Sequence, residues 1–353
     1  MRILYVSRHF SRGGYYILER LIADGFDVVG VVLRDEKSPY RNRLRRPFAI
    51  GWYRLSCWYY RCEACKFVKS EELLARRHGL RIVKTADINS DEFYAVLETL
   101  KPNIMILGGG WPQLIEQRVF DYPAYGSINP HPSLLPAYRG TSVHRWQILD
   151  GVEESGMTVL YVEPEFDTGV ILGQERVPIT IDDTPQDLAD KAGRAGAPLV
   201  CDVLRRIADL PPGERLEGVL QPESDQPNCR RWKWDEDFLT IDWRQPLRRV
   251  YNLIRASNQE SYRYRGPIFL AAGHRYLARR AALRPVGDDD ARPDAAGVLS
   301  IDYEGVHIGR AGDPDVLVIT QVQRYDAHHR FRRAFHARKL GKHGLLKSGE
   351  ILQ

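Results

Sequence analysis

No run in this chain approaches the ~20 consecutive apolar residues that a membrane-spanning helix needs, so an integral membrane protein is not expected. The opening run Ile3-Leu4-Tyr5-Val6 after Arg2 is too short for the apolar region of a secretory leader, and a cytoplasmic location is the expectation. Cysteine is scarce and odd in number, 5 in 353 residues, which suits reduced thiols and not a disulfide framework. Cys57, Cys62 and Cys65 contain one C-x-x-C step but no fourth ligand nearby; zinc usually takes four, so buried thiols and no metal are predicted. The net charge is only +5, too small for wholesale coating of nucleic acid and better suited to an anionic ligand. No internal repeat is present, and Arg12-Gly13-Gly14 is a weak basis for a nucleotide fingerprint.

What is present is an alternation of strand and helix patterns. Arg2 to Ser7 reads as a strand, Tyr15 to Asp24 as a helix closed by Gly25, and Asp27 to Leu33 as a strand whose continuous valines imply burial on both faces. Helices at Glu71 to His78 and Asp91 to Leu100, with strands at Arg81 to Lys84 and Asn103 to Leu107, continue it. Such alternation implies a parallel sheet. A helix over Thr184 to Leu210 starts at a cap followed by Pro185 and ends at Pro211-Pro212-Gly213. Beyond it, short strands are predicted at Phe238 to Trp243, Phe269 to Ala272, Tyr276 to Ala281, Gly297 to Ile301, Gly305 to Ile308 and Val316 to Val322, with one helix at Leu247 to Ala256; their spacing suggests a small barrel. The fold class is therefore α/β, a doubly wound parallel sheet followed by a smaller open β-barrel. The expected division is 1–212, a linker over 213–235, and 236–353.

The most informative stretch runs from Ser127 to Gly140, Ser-Ile-Asn-Pro-His-Pro-Ser-Leu-Leu-Pro-Ala-Tyr-Arg-Gly, followed later by Asp167-Thr168-Gly169. Pro130, Pro132 and Pro136 forbid a helix, so Asn129 and His131 are expected on an irregular loop after a strand over Tyr125 to Ile128. Asp167 is expected on the loop leaving a second strand, Gly156 to Val162, so the two loops can meet. A carboxylate beside an imidazole raises its basicity and fixes its tautomer, and an amide can donate to an oxyanion without titrating. That combination suits acyl transfer. Singly, each residue has a plainer explanation: Asn129 capping a turn, His131 a satisfied loop histidine, Asp167 starting a turn.

The string Asn129 to Gly140 together with Phe166-Asp167-Thr168-Gly169 resembles the signature of the folate-dependent formyltransferases, over about residues 80 to 210. The resemblance implies a doubly wound fold, N10-formyltetrahydrofolate as donor, and Asn129, His131 and Asp167 as catalytic residues. It also implies that the pterin lies against Ile106, Leu107, Gly108, Gly110 and Trp111 and against Leu134, Leu135, Pro136, Arg139 and Gly140. Glu236 to Trp243 and Asn252 to Ala256 resemble the second domain of the longer members, an oligonucleotide-binding-type barrel.

Two segments depart from an ordinary member. Arg34 to Lys69 interleaves ten basic and three acidic residues with aromatics, and either binds phosphate and base or covers a sheet edge. Thr141 to Trp146 replaces a place that is typically alanine and proline rich in methionyl-tRNA formyltransferases, unless it is simply a capped helix start. Arg8, His9, Arg12, Arg43, Arg45, Arg46 and His144 are the residues expected to meet the acceptor. The expected acceptor is a small amine, such as an amino sugar linked to a nucleotide. The alternatives are methionyl-tRNA, water in a formyltetrahydrofolate hydrolase, or none in an inactive folate- or RNA-binding relative. The basic tail Arg324 to Lys347 either touches nucleic acid or is a solvated helix.

Overall fold

A computed structural model describes residues 1–8, 11–35, 70–223, 228–257, 266–287, 292–325 and 335–352. Contacts group 1–140, 154–178 and 189–228 into one compact unit, and 141–153, 179–188 and 229–353 into another. The division at 212 and 236 stands beside this grouping as our proposal for separately folding pieces.

The first unit is built on a seven-stranded sheet of β1 (Arg2–Ser7), β2 (Asp27–Arg34), β3 (Ile82–Thr85), β4 (Ile104–Ile106), β5 (Ser127–His131), β6 (Glu154–Tyr161) and β7 (Ile171–Pro178), in the order β3-β2-β1-β4-β5-β6-β7. Alternate residues of β1 feed opposite cores, as the two-residue repeat of a strand requires. Ile3 and Tyr5 pack with Ile17, Leu21, Val200 and Val203; Leu4 and Val6 pack with Phe93, Leu97 and Phe120. Each such fully buried side chain contributes about 1.5–3 kcal/mol, so the doubly wound form follows from a strand apolar on both faces.

The sheet is not wholly parallel, which corrects the expectation. β6 pairs antiparallel with β5, and β7 antiparallel with β6. The connection 162–170 between β6 and β7 is too short for the crossover of a dozen or more residues that parallel pairing needs. β7 itself escaped the sequence reading. It is an edge strand whose middle, Gln174-Glu175-Arg176, is exposed and polar, without the β-branched run that marks a buried strand.

Helix starts follow their caps. Ser11 accepts a hydrogen bond from the Gly14 backbone NH at 3.1 Å, so the first helix spans Arg12–Ala23 and begins three residues before its expected start. Thr184 and Asp187 exchange bonds at the start of Pro185–Ala208, and Ser90 caps Asp91–Leu100.

In the second unit, β8 (Ile268–Ala271), β9 (His274–Pro285), β10 (Gly297–Ile301), β11 (Val306–Gly309) and β12 (Asp315–Arg324) form an antiparallel sheet in the order β10-β11-β12-β9-β8, with β13 (Phe335–His336) on β12. It curls into a half-barrel around Leu247, Val250 and Ile254 of the helix Leu247–Ala256. The strand expected at Phe238 to Trp243 is instead a helical turn, Glu236–Leu239, followed by a single bridge from Thr240 to Ile268. Asp235 caps that turn by accepting from the Phe238 NH at 2.9 Å, a local bond that competes with strand pairing. Among the described residues no helix is long and apolar enough to cross a membrane.

Candidate active site

Asn129 and His131 lie within β5, not on a loop after it. The strand accommodates Pro130 because β4 reaches only Ile128: Met105 pairs with Ser127 and Ile106 with Ile128, and the ladder stops there. Strand alternation turns the nitrogen of Pro130 toward that vacated side, so its missing NH costs no bond, while Asn129 and His131 still register with Leu160 and Thr158 of β6. The two-residue repeat then puts both side chains on one face.

Asp167 reaches them from the connection between β6 and β7. Its Oδ1 accepts from Asn129 Nδ2 at 2.9 Å and lies 3.3 Å from His131 Nδ1, and its Oδ2 accepts from the Gly140 NH at 2.8 Å. The side chains of His131 and Asp167 are 5% and 7% exposed, so these bonds form with little competition from water. Asp167 has φ 56°, a left-handed conformation that is uncommon outside glycine. Gln221 holds it there, its Nε2 donating to the carbonyls of Asp167 and Gly169 at 2.8 Å each.

Both nitrogens of His131 face acceptors: Nδ1 the carboxylate, and Nε2 the Tyr138 carbonyl at 2.9 Å. Only the imidazolium can donate to both. Burial works against that charge, but the Asp167 carboxylate and the Tyr138 carbonyl outweigh it and raise the His131 pKa above its ordinary 6.5. Burial would likewise raise Asp167. The His131 charge and the donors from Gly140 and Asn129 overcome it and hold the carboxyl below its ordinary 3.8. Both shifts favour the ionic form of the pair. Asn129 spends one amide proton on Asp167 and keeps a second donor.

The loop from Ser133 to Gly140 is fixed from beneath. The fully buried Thr158 hydroxyl donates to the Ser133 carbonyl at 2.6 Å and accepts from the Leu135 NH at 3.2 Å and Gln174 Nε2 at 2.9 Å. All its capacity is used. Thr158→Val keeps the shape but strands the Ser133 carbonyl and the Leu135 NH, while Gln174 keeps its bond to the Leu135 carbonyl at 2.9 Å, and is expected to lower stability by about 1–3 kcal/mol in thermal or urea unfolding. An unchanged midpoint would show that the loop is held otherwise.

Comparison with known proteins gives this arrangement its context. Residues 65–204 match the family described as formyl transferase. Methionyl-tRNA formyltransferase of Bacillus mycoides (strain KBAB4) is 30% identical over 242 residues, 69% of this chain and 68% of that protein. The chain belongs to the folate-dependent formyltransferase family. It is an enzyme of the transferase class. Two solved structures share its fold at 18% identity. The sugar 3N-formyl transferase WlaRD has a TM-score of 0.60, covering 92% of this chain and 98% of that one. A variant of HypX from Aquifex aeolicus has a TM-score of 0.58 and covers 99% of this chain, which spans only about half, 49%, of HypX.

The remaining expected residues of this formyltransferase are placed as follows. The Leu107 NH bonds the Ile128 carbonyl at 2.9 Å, so the strip Leu107 to Trp111 leaves the sheet beside Asn129. A side chain at Gly108 or Gly109 would strike Tyr5 or Ser7, whereas one at Gly110, φ 72°, would meet nothing within 4 Å. The strip is thus packed below and open above, which fits a flat ring read by backbone groups. Ile106 is wholly buried in β4; Trp111 is 9% exposed and points its Nε1 at Gln113. Leu135 is buried, Leu134 and Pro136 half-buried, and Arg139 is clamped to Gln221 Oε1 through Nε and Nη2 at 3.0 and 2.6 Å. Arg8 is exposed at the end of β1, while Arg12 forms a two-pronged pair with Asp190 at 3.0 and 2.9 Å. His144 is on the helix Val143–Asp150, which groups with the second unit. His9, Arg43, Arg45, Arg46 and the cysteines at 57, 62 and 65 lie outside the described residues.

Sequence reasoning missed Gln221, Thr158 and Gln174. Gln221 belongs to a segment read as a linker, yet Val219 bridges to Ile171 and the Leu216 NH donates to the Tyr161 hydroxyl at 2.9 Å. Nothing in the sequence marks a lone glutamine as the support of a distant aspartate.

Proposed function

We propose that Asn129, His131 and Asp167 catalyse transfer of a formyl group from N10-formyltetrahydrofolate to a primary amine. The observation that carries this reading is the buried His131–Asp167 contact at 3.3 Å with the Asn129 amide bonded to the same carboxylate oxygen. The folate, bound along Leu107 to Trp111 and Leu134 to Gly140, supplies an activated formyl carbonyl. The second amide proton of Asn129 holds the oxyanion that develops when the amine attacks; the Asp167 carboxylate takes the proton the amine gives up and returns it to N10 as the oxyanion collapses and the N10–formyl bond breaks, releasing tetrahydrofolate. Because His131 Nε2 is taken by Tyr138, Asn129 is the oxyanion donor and His131 sets the charge on Asp167. The active residues and the folate-facing strip all belong to one compact unit.

For the acceptor, the reading is a small amine such as a nucleotide-linked amino sugar. Support comes from Thr141 to Trp146, the segment that departs from the tRNA enzymes' pattern. Neither Thr141 nor Ser142 caps the helix through its side chain; Ser142 Oγ accepts from the Trp232 NH at 3.1 Å, Trp146 Nε1 donates to the Arg230 carbonyl at 2.7 Å, and Arg145 lies over the Trp232 and Trp234 rings. The segment thus fastens residues 230–234. Methionyl-tRNA is the second reading, favoured by the 30% identity to an enzyme of that name. Release of tetrahydrofolate from N10-formyltetrahydrofolate is expected to require an amine, and to be faster with nucleotide-linked amino sugars than with charged initiator tRNA. Release without an amine supports the hydrolase, preference for tRNA supports the second reading, and no release with any acceptor overturns formyl transfer.

A further inference from the structure

The half-barrel unit has a pocket of about 510 Å³ that the formyl-transfer reading does not use. Its walls are the end of β10 with the hairpin tip after it, the short helix Arg338–Lys342, and residues 346–348. Arg338, Lys342 and Lys347 line it, with Asp302 as its one acid. The backbone beneath is firm. Leu340 and Leu346 are buried in the unit's core, and Gly341 sits so close to Ile301 that a side chain there would meet it at 3.0 Å.

The three cations differ from other arginines of the unit. Arg244, Arg248 and Arg310 are paired with Asp242, Asp315 and Asp313, whereas Arg338, Lys342 and Lys347 make no ion pair among the described residues. Asp302 does not offset them freely: its Oδ1 already accepts from the NH groups of Glu304 and Gly305 and lies 3.0 Å from His307 Nε2. At the lip stands Tyr303, 75% exposed, an aromatic ring left to water. Three unpaired cations around a concavity attract a multiply charged anion, and an open ring beside them offers a stacking surface.

We propose that this pocket binds a nucleoside diphosphate or triphosphate, its phosphates against Arg338, Lys342 and Lys347 and its base on Tyr303. The volume lies within the range of about 300–1,000 Å³ usual for small-molecule sites. A single nucleotide suits the charge layout better than a passing RNA strand, because a strand crossing the tip brings further phosphates over the carboxylates of Asp302 and Glu304.

The test is calorimetric titration of the full chain with adenosine diphosphate, inorganic pyrophosphate and a short single-stranded RNA. Replacing Arg338, Lys342 and Lys347 together by serine is expected to weaken adenosine diphosphate binding at this site about tenfold or more. Tyr303→Ala is expected to weaken adenosine diphosphate but not pyrophosphate. Both variants should keep wild-type unfolding midpoints, since all four side chains are exposed, and wild-type turnover with a small amine, since none belongs to the catalytic unit. A nucleotide-linked acceptor bound in the catalytic unit would persist in the triple variant as a separate class of sites. No adenosine diphosphate binding, or binding unchanged in the triple variant, overturns the proposal, as does loss of RNA affinity alone.

Discussion

Asp167→Asn is expected to lower the formyl-transfer rate by roughly 10²–10³-fold in steady-state release of tetrahydrofolate. The change is nearly isosteric, and with its oxygen in the place of Oδ2 the new amide still accepts from Gly140, though it gives up the bond from Asn129. Its NH₂, however, faces His131 Nδ1, which must then act as an acceptor and lose its proton. The imidazolium that the carboxylate stabilised disappears, and the carboxylate that receives the amine proton is replaced by an amide that cannot. Because Asp167 sits at φ 56° under the clamp of Gln221, the loop should keep its course. A near-normal rate in correctly folded Asp167→Asn would remove the carboxylate from the chemistry.

His131→Ala should show a comparable loss of rate together with a stability change whose pH dependence has a definite sign. Removing one partner of a buried pair costs about 3–5 kcal/mol; the surviving bonds from Asn129 and Gly140 to Asp167 place this case at the lower end. With its folded pKa raised, His131 contributes stability that is whole below its ordinary 6.5 and fades as pH rises through the folded value. Asp167, with its folded pKa lowered, contributes stability that is whole above its ordinary 3.8 and is lost as pH falls through the folded value. The gap in urea midpoint between wild type and His131→Ala should therefore be widest from about pH 4 to 6.5 and narrow at alkaline pH. A gap independent of pH would mean that His131 is neutral in the folded protein.

Much of this was legible in the sequence for physical reasons. The continuous valines of β2 announced a sheet covered on both faces, and the cap before Pro185 marked a helix start that the structure keeps. Asn129, His131 and Asp167 stood out because prolines and glycines around them limit the backbone. What was hidden depended on partners remote in sequence. Proline was read as a breaker at 130, yet Pro130 lies in a strand because β4 ends beside it. The connection 162–170 was read as a loop exit with no notice that its shortness reverses the next strand. Gln221 and Thr158 act only through where the fold puts them.

The most direct test is a double-mutant cycle on single-turnover formyl transfer, using His131→Ala, Asp167→Ala and the double variant. Residues that act as one unit are not additive, so the double variant should be no slower than the slower single one, within about threefold. Rate losses that multiply in the double variant would show that the imidazole and carboxylate act separately, contradicting the coupled His131–Asp167 pair on which this account of the site rests.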